Sequence, residues 1–510
     1  MTEQEFEEVA PDPSAMIESL RAYGYTLSTA VADLIDNSIA ARATTVWVQM
    51  QWNGADSWLA IADDGHGMDR ETLRDAMRLG STSPLLERDR DDLGRFGLGM
   101  KTASLSQCRC LTVASRQDGS SPWIRRWDLD YLAHPGTIGW RLLTSCAPGS
   151  KDRLEFPHDA PSGTVVLWER MDRVVGDAEL EDEGMQAYWF KLVSDLEEHL
   201  GMVFHRFLEA PRNRTGLRIV LNGEEVRPWN PFYPGHPSTE IVGRQSISIP
   251  GEDMGPVDFI GYVLPHKDRL GDELHTELRG PNGWNAQQGL YLYRNRRLIV
   301  AGGWLGLGGS RPWTQEEHYK LTRIQLDIPN SMDHLWHLDV KKSSASPPPR
   351  IRKILTGLCQ NVRSRARQVF AHRARHGPRP ATTEEPARPW KSLVRAQGRS
   401  YQIDRYHKLI RAVRNRIDDT AGKEFEAALR ILEETVPVEQ IWLDKAENPE
   451  NFNQPFHGAE SDELRQIIVT TYRALRRNRA ESHDEAISIM SNAQEFASEE
   501  AQAIIATLSD

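Results

Sequence analysis

The stretch STAVADLIDNSIAARAT, Ser28 to Thr44, decides how this chain is read. Ala30, Val31, Leu34, Ile35 and Ile39 recur at the spacing of one apolar helix face, which predicts a buried helix. Asp33, Asp36 and Asn37 interrupt it. Short polar side chains compete for backbone hydrogen bonds and disfavour helix interiors, so something must compensate for three of them. Asp33 and Asn37 are one turn apart and share one side of the helix; Asp36 points elsewhere. An Asn side-chain oxygen is a hard, neutral donor of the kind Mg2+ accepts. A carboxylate one turn away can orient or deprotonate a water. Together they would serve a metal-bound phosphate.

Three further stretches carry chemistry. DDGHGM, Asp63 to Met68, ends a strand-like run and has the form D-x-G-x-G. Its carboxylate can accept a hydrogen bond from an exocyclic amine such as that of adenine, and its glycines let backbone approach a flat ring. GRFGLGMKTAS, Gly94 to Ser104, places three glycines, an aromatic and a lysine before a helix, and so offers backbone N–H groups to phosphate. In SGTVV, Thr164 opens another strand. Each alone is a common turn, loop or cap. Their order within one region is specific.

These four stretches resemble those of the GHKL ATPase superfamily, which includes Hsp90, DNA gyrase B, MutL and the MORC ATPases. The resemblance implies an α/β fold: a Bergerat-fold ATPase sandwich, an S5-like α/β transducer domain, then a mainly helical C-terminal region. It implies ATP and Mg2+ as cofactors. Asn37 would bind the metal, and Asp63 would hold the adenine amine with support from Thr164. Gly65, Gly67 and Met68 would shape the adenine pocket. Gly94, Arg95, Phe96, Gly97, Leu98, Gly99, Met100 and Lys101 would form the phosphate loop. It would close a lid that begins near Gly80 and includes Ser81 and Thr82. The family's water-activating base is usually Glu, whereas this chain has Asp33, one methylene shorter. Misplacing a catalytic group by about 1 Å can cost on the order of 100-fold, so slow turnover is expected. HLDVKKSS, His337 to Ser344, resembles the end of the transducer, which implies Lys341 or Lys342 as the lysine reaching the γ-phosphate.

The remaining sequence sets the boundaries. Regions 1–205 and 206–345 are expected to be the ATPase and transducer domains. Asn222-Gly223 and a turn near Asn295 predict hairpins in the second. An arginine-rich helix and the proline-rich GPRPATTEEPARPW fill 346–400, and helices fill 401–510. The chain has 510 residues and a net charge of −11, yet from Lys341 to Arg416 it has 20 Lys and Arg against 3 Asp and Glu. That stretch reads as a solvated linker or as a basic arm for nucleic acid, with Arg363, Arg365, Arg367, Arg373 and Arg375 as its contacts. Four cysteines exclude a disulfide scaffold, and their spacing argues against a zinc site. The acidic start and the lack of a long apolar run predict a cytoplasmic protein without a membrane partner.

The expectation is therefore an ATP hydrolase that forms a homodimer when ATP binds and closes on DNA, in a bacterial restriction or phage-defence setting. The tail would recruit an effector protein or nuclease. An Hsp90-like chaperone and a non-catalytic ATP-gated scaffold stay open beside it.

Overall fold

Side-chain caps start the first two helices. Asp12 caps α1 (Pro13–Arg21), and Thr26 caps α2 (Leu27–Ala40) through a reciprocal pair of bonds with Thr29. The computed structural model describes residues 11–22, 24–80, 99–157, 160–210, 216–249, 255–309, 311–338, 345–371, 390–395, 398–437, 461–477, 482–491, 496 and 498–508. It divides into two units, Met1–His376 and Gly377–Asp510.

The first unit contains two sheets. In the first lie β1 (Thr45–Gln51), β2 (Trp58–Asp63), β3 (Cys110–Arg116), β4 (Trp123–Asp128), β5 (Gly163–Glu169), β6 (Arg218–Leu221) and β7 (Glu224–Glu225). Their order is β4-β3-β5-β2-β1-β6-β7. Only the β1–β6 pairing is parallel. Period-2 burial aims Val46, Val48 and Met50 into the core. There they meet Val31, Leu34 and Ile35 of α2, and Leu196 and Leu200 of a long helix. Burying such a side chain fully contributes about 1.5–3 kcal/mol, so α2 is held by packing despite its acids. Among the helices that connect these strands are α3 (Arg70–Met77), α4 (Gly99–Leu105), α5 (Leu129–Ala133), α6 (Glu183–Val203) and α7 (His205–Leu208). Both α4 and α6 pack on α2.

The second sheet contains β8 (Glu240–Ile247), β9 (Val257–Val263), β10 (Gly289–Arg294), β11 (Arg297–Ala301) and β12 (Thr322–Ile328), ordered β11-β10-β12-β9-β8. Short helices α8 (Asp272–Leu278) and α9 (Gly283–Ala286) precede β10. The β10–β11 loop is Asn295-Arg296, both at positive φ (47° and 70°), the geometry that matches strand twist in a two-residue hairpin. The arginine-rich stretch is α10 (Pro349–Ala371), and here the structure departs from expectation. Ile351, Leu355, Cys359, Val362 and Ala366 bury one face of α10 among the side chains of the second sheet. Gly261 in β9 lets Val362 come so close that a methyl there would overlap it. The helix is therefore a layer of the second domain, not part of a linker.

Arg363 corrects the nucleic-acid set. It is 3% exposed, and its guanidinium stands 4.7, 4.2 and 3.9 Å from the ring centres of Trp304, Trp313 and Tyr319. An arginine enclosed in this way serves the core. Arg365 pairs with both carboxylate oxygens of Glu240, at 2.6 and 2.9 Å. Arg367 is exposed. Arg373 and Arg375 lie outside the described residues.

In the second unit an antiparallel hairpin, β13 (Trp390–Arg395) with β14 (Gly398–Ile403), begins inside the stretch expected to be linker. Among the described residues five helices follow: α11 (Lys408–Arg414), α12 (Asp419–Glu434), α13 (Ser461–Arg477), α14 (His483–Ser491) and α15 (Glu499–Ala506). Leu464, Ile468, Tyr472 and Leu475 of α13 form a core with Met490 and Ile505. On α12, Leu429 is buried and Leu432 is exposed. No described helix is long and apolar enough to cross a membrane.

Candidate functional site

Helix α2 runs along the site, and its residues divide by depth. Asp33 is 4% exposed and Asp36 1%, whereas Asn37, between buried Asp36 and Ser38, is exposed. Tyr25 donates its hydroxyl to Asp33 Oδ2 at 3.0 Å. Gln107 holds Tyr25 in turn, through its main-chain carbonyl at 3.1 Å. A methyl on Gly99 would lie 3.8 Å from Asp33 Oδ2, so this carboxylate borders the residue where the glycine loop enters α4.

One turn further on, Ser38 donates to Asp63 Oδ2 at 2.9 Å, and the Gly65 N–H donates to Oδ1 at 2.9 Å. Asp63 is 6% exposed, at the end of β2. Burial raises its pKa above the ordinary 3.8, partly offset by bonds from Gly65, Ser38 and Thr164. A carboxylate accepts about four hydrogen bonds, so these bonds leave capacity for a ligand amine.

The glycines are steric requirements. Gly67 has φ 66°, and a methyl there would overlap the Arg116 carbonyl. Gly163, at the start of β5, presses on the Asp63 carbonyl in the same way. Only glycine lets these chains meet so closely. Ser115 joins them: it accepts from the Met68 N–H at 2.7 Å and shares a 2.9 Å bond with the Thr164 hydroxyl. Met68 and Thr164 thus belong to one network beside Asp63.

Lys101 departs from its expected role. Its ammonium is buried and donates to the Ala76 carbonyl near the end of α3 at 2.8 Å. Burial holds its pKa down, to about 8. Met100 is half-buried against the core. Ser81, Thr82, Gly94, Arg95, Phe96, Gly97 and Leu98, with Lys341 and Lys342, lie outside the described residues.

Sequence reasoning missed four contributors: Tyr25, Ser38, Ser115 and Arg297. Arg297 comes from β11, and its Nε lies 3.2 and 3.3 Å from the two oxygens of Asp36. No local signal marks it, because its partner is 261 residues away. The Ser38 signal was available: a serine directly after Asn37, inside an otherwise buried face.

The residues present fit a magnesium nucleotide. Asn37 is exposed on α2, directly before Ser38, which holds the buried Asp63 carboxylate, and Asp33 of the same helix borders Gly99. The sequence profile of the histidine kinase-, DNA gyrase B- and HSP90-like ATPases matches residues 25–150, which contain Asp33, Asn37, Asp63 and Gly99. The protein MICRORCHIDIA 7 of Arabidopsis thaliana is 32% identical over 124 residues. That match covers 23% of this chain and 17% of the plant protein's own length. By fold, site geometry and these likenesses, residues 25–150 are similar to the GHKL ATPases, and among them to the MORC type.

Proposed function

We propose that this chain binds ATP with Mg2+ along α2, hydrolyses it slowly, and uses it to close two copies on DNA. One observation carries the nucleotide part. Helix α2 ties Asp33, at the glycine loop's exit, to the Asp63 carboxylate through Ser38. A bound Mg2+ would neutralise phosphate charge, with Asn37 as its protein ligand. Asp63 accepts the adenine amine. Asp33, oriented by Tyr25, holds the attacking water and takes its proton. The shorter carboxylate makes that step slow.

Dimer closure, DNA and the bacterial defence setting rest on the family resemblance and on the basic stretch, from which Arg363 is withdrawn. The comparison covers 17% of the relative's length, so its likeness speaks for the ATPase region. The tail's partner is proposed on the helical unit alone.

Calorimetry and single-turnover assays on Asp33→Asn and Asn37→Ala test the nucleotide reading. Asp33→Asn should keep nucleotide affinity within about threefold and lose about 100-fold or more in turnover, since it removes an interaction made in the transition state. Asn37→Ala should lose the Mg2+-dependent part of the affinity. Native turnover in Asp33→Asn would remove Asp33 as the base. The absence of any adenine nucleotide uptake would remove the whole proposal.

A further inference from the structure

We infer that Arg297, carried on the second sheet, is a positioning residue for the reaction on the first: by pairing with Asp36 it sets the turn of α2 that presents Asp33. This rests on the reading of Asp33 as the base.

Arg297 is the first residue after the Asn295-Arg296 turn, and its pairing with Arg294 fixes its register. Its Nε donates to Asp36, and its Nη2 stands 4.0 Å from Asp33 Oδ1. Each of the three side chains is 5% exposed or less. Two carboxylates buried one turn apart repel each other and are tolerated when a cation lies between them. A guanidinium is suited to this, because its planar fork can serve two acids at fixed geometry.

The hairpin that carries Arg297 is itself anchored on the first domain. The Tyr293 hydroxyl meets His205 Nε2 at 2.8 Å. Arg296 lies 4.6 Å from the centre of the Phe207 ring and donates to the Arg206 carbonyl. Arg297 stands over Phe204 at 5.7 Å. Helices α6 and α7 thus fix the hairpin, and the hairpin fixes Asp36. His199 of α6 is partly exposed but densely surrounded, and burial with the Arg297 charge holds its pKa down to about 4. At neutral pH it adds no second cation here. The charged residue of α4 is Lys101, whose ammonium is directed to Ala76. Arg297 thus ties the helix that bears Asp33 to the second sheet. A shift of β11 relative to α2 would move the segment that bears Asp33 without touching the nucleotide.

The test uses the full chain with ATP as substrate and ADP as the calorimetric probe, in Arg297→Gln, Arg297→Lys, Asp36→Asn and the double variant Asp36→Asn/Arg297→Gln. Arg297→Gln should lower kcat about 10- to 100-fold, with the ADP Kd within about threefold. Arg297→Lys should recover about tenfold of that loss. The double variant should regain much of the melting temperature lost in Arg297→Gln, because the charge of Asp36 no longer stands beside that of Asp33 without the guanidinium, yet stay slow. If Arg297→Gln does not fold, the double variant carries the same kcat test. Native kcat in a folded Arg297 variant overturns the inference. So does a parallel fall of kcat and ADP affinity that lysine does not restore, because that is the signature of a merely structural tie. Asp33→Asn separates the two claims. If it is inactive while Arg297→Gln is native, the base reading stands and the positioning role falls. If it is fully active, both fall.

Discussion

At the residue scale the site turns on a carboxylate that must stay charged where charge is costly. Desolvation raises the Asp63 pKa, so the folded chain binds a proton more readily than the unfolded chain. Between 3.8 and the raised value, stability therefore falls as pH rises, and above it the cost is constant. Adenine recognition runs the other way, since the amine needs the ionised acceptor. Calorimetric ADP affinity should fall as pH drops through the raised value, and Asp63→Asn should bind about 10- to 100-fold more weakly than the native chain above that value, the worth of a hydrogen bond to a charged group, with the difference closing below it. Affinity that does not change with pH would place the amine elsewhere. Lys101 shows the opposite sign. Its pKa lies at about 8 against an ordinary 10.5, so between those values the unfolded chain holds the proton and stability rises with pH. Lys101→Met should abolish that rise, on the order of 3 kcal/mol, in denaturant midpoints read against the native chain. Asp33, Asn37, Asp63, Gly65, Gly67 and Thr164 can be nominated as candidates from the sequence, because the chemistry expected of them is tied to a spacing. Tyr25, Ser115 and Arg297 cannot, because what places them is the sheet and the turn, and no residue nearby in sequence signals the partner.

At the element scale, strands and hairpins were read from alternation and turn chemistry. The turns at Asn222-Gly223 and Asn295-Arg296 stand where an Asn invites positive φ. The β13–β14 hairpin was missed because proline and charge in the preceding stretch masked a short strand pair. Helix α10 reads from the sequence as a helix within a linker or basic arm, whereas the structure packs one face of it on the second sheet. Its arginines dominate the composition, while the stripe from Ile351 to Ala366 that decides its burial is only one face. Arg363→Ala should therefore cost about 2–4 kcal/mol of stability, from lost stacking on three aromatic rings and the cavity left behind. Chemical denaturation would read it. The same variant should leave the salt dependence of DNA affinity unchanged. Arg367→Gln, on the exposed face, should reduce the slope of log K against log salt by about 0.9 if it meets a phosphate. A stable Arg363→Ala protein with weakened DNA binding would restore the basic-arm reading for this residue.

At the scale of the whole molecule, charge separates the two associations proposed for it. The chain carries −11 overall, against +17 between Lys341 and Arg416, which leaves −28 on the rest. Two such bodies repel at long range, and salt screens that repulsion. DNA engagement has the opposite dependence, since each neutralised phosphate releases a counterion. ATP can favour a dimer only by binding the closed pair more tightly than the open chain. Moving the balance from about 1:99 to 99:1 needs a preference of about 10,000-fold. Sedimentation velocity at about 10 μM should thus show a monomer with ADP and a dimer with a non-hydrolysable ATP analogue and Mg2+. The dimer fraction should increase from about 50 to 200 mM salt while DNA affinity decreases. Asn37→Ala should stay monomeric throughout. A dimer indifferent to nucleotide, or one that salt dissociates in step with DNA, would mean that ATP does not gate the association and that the acidic surfaces are not what opposes it.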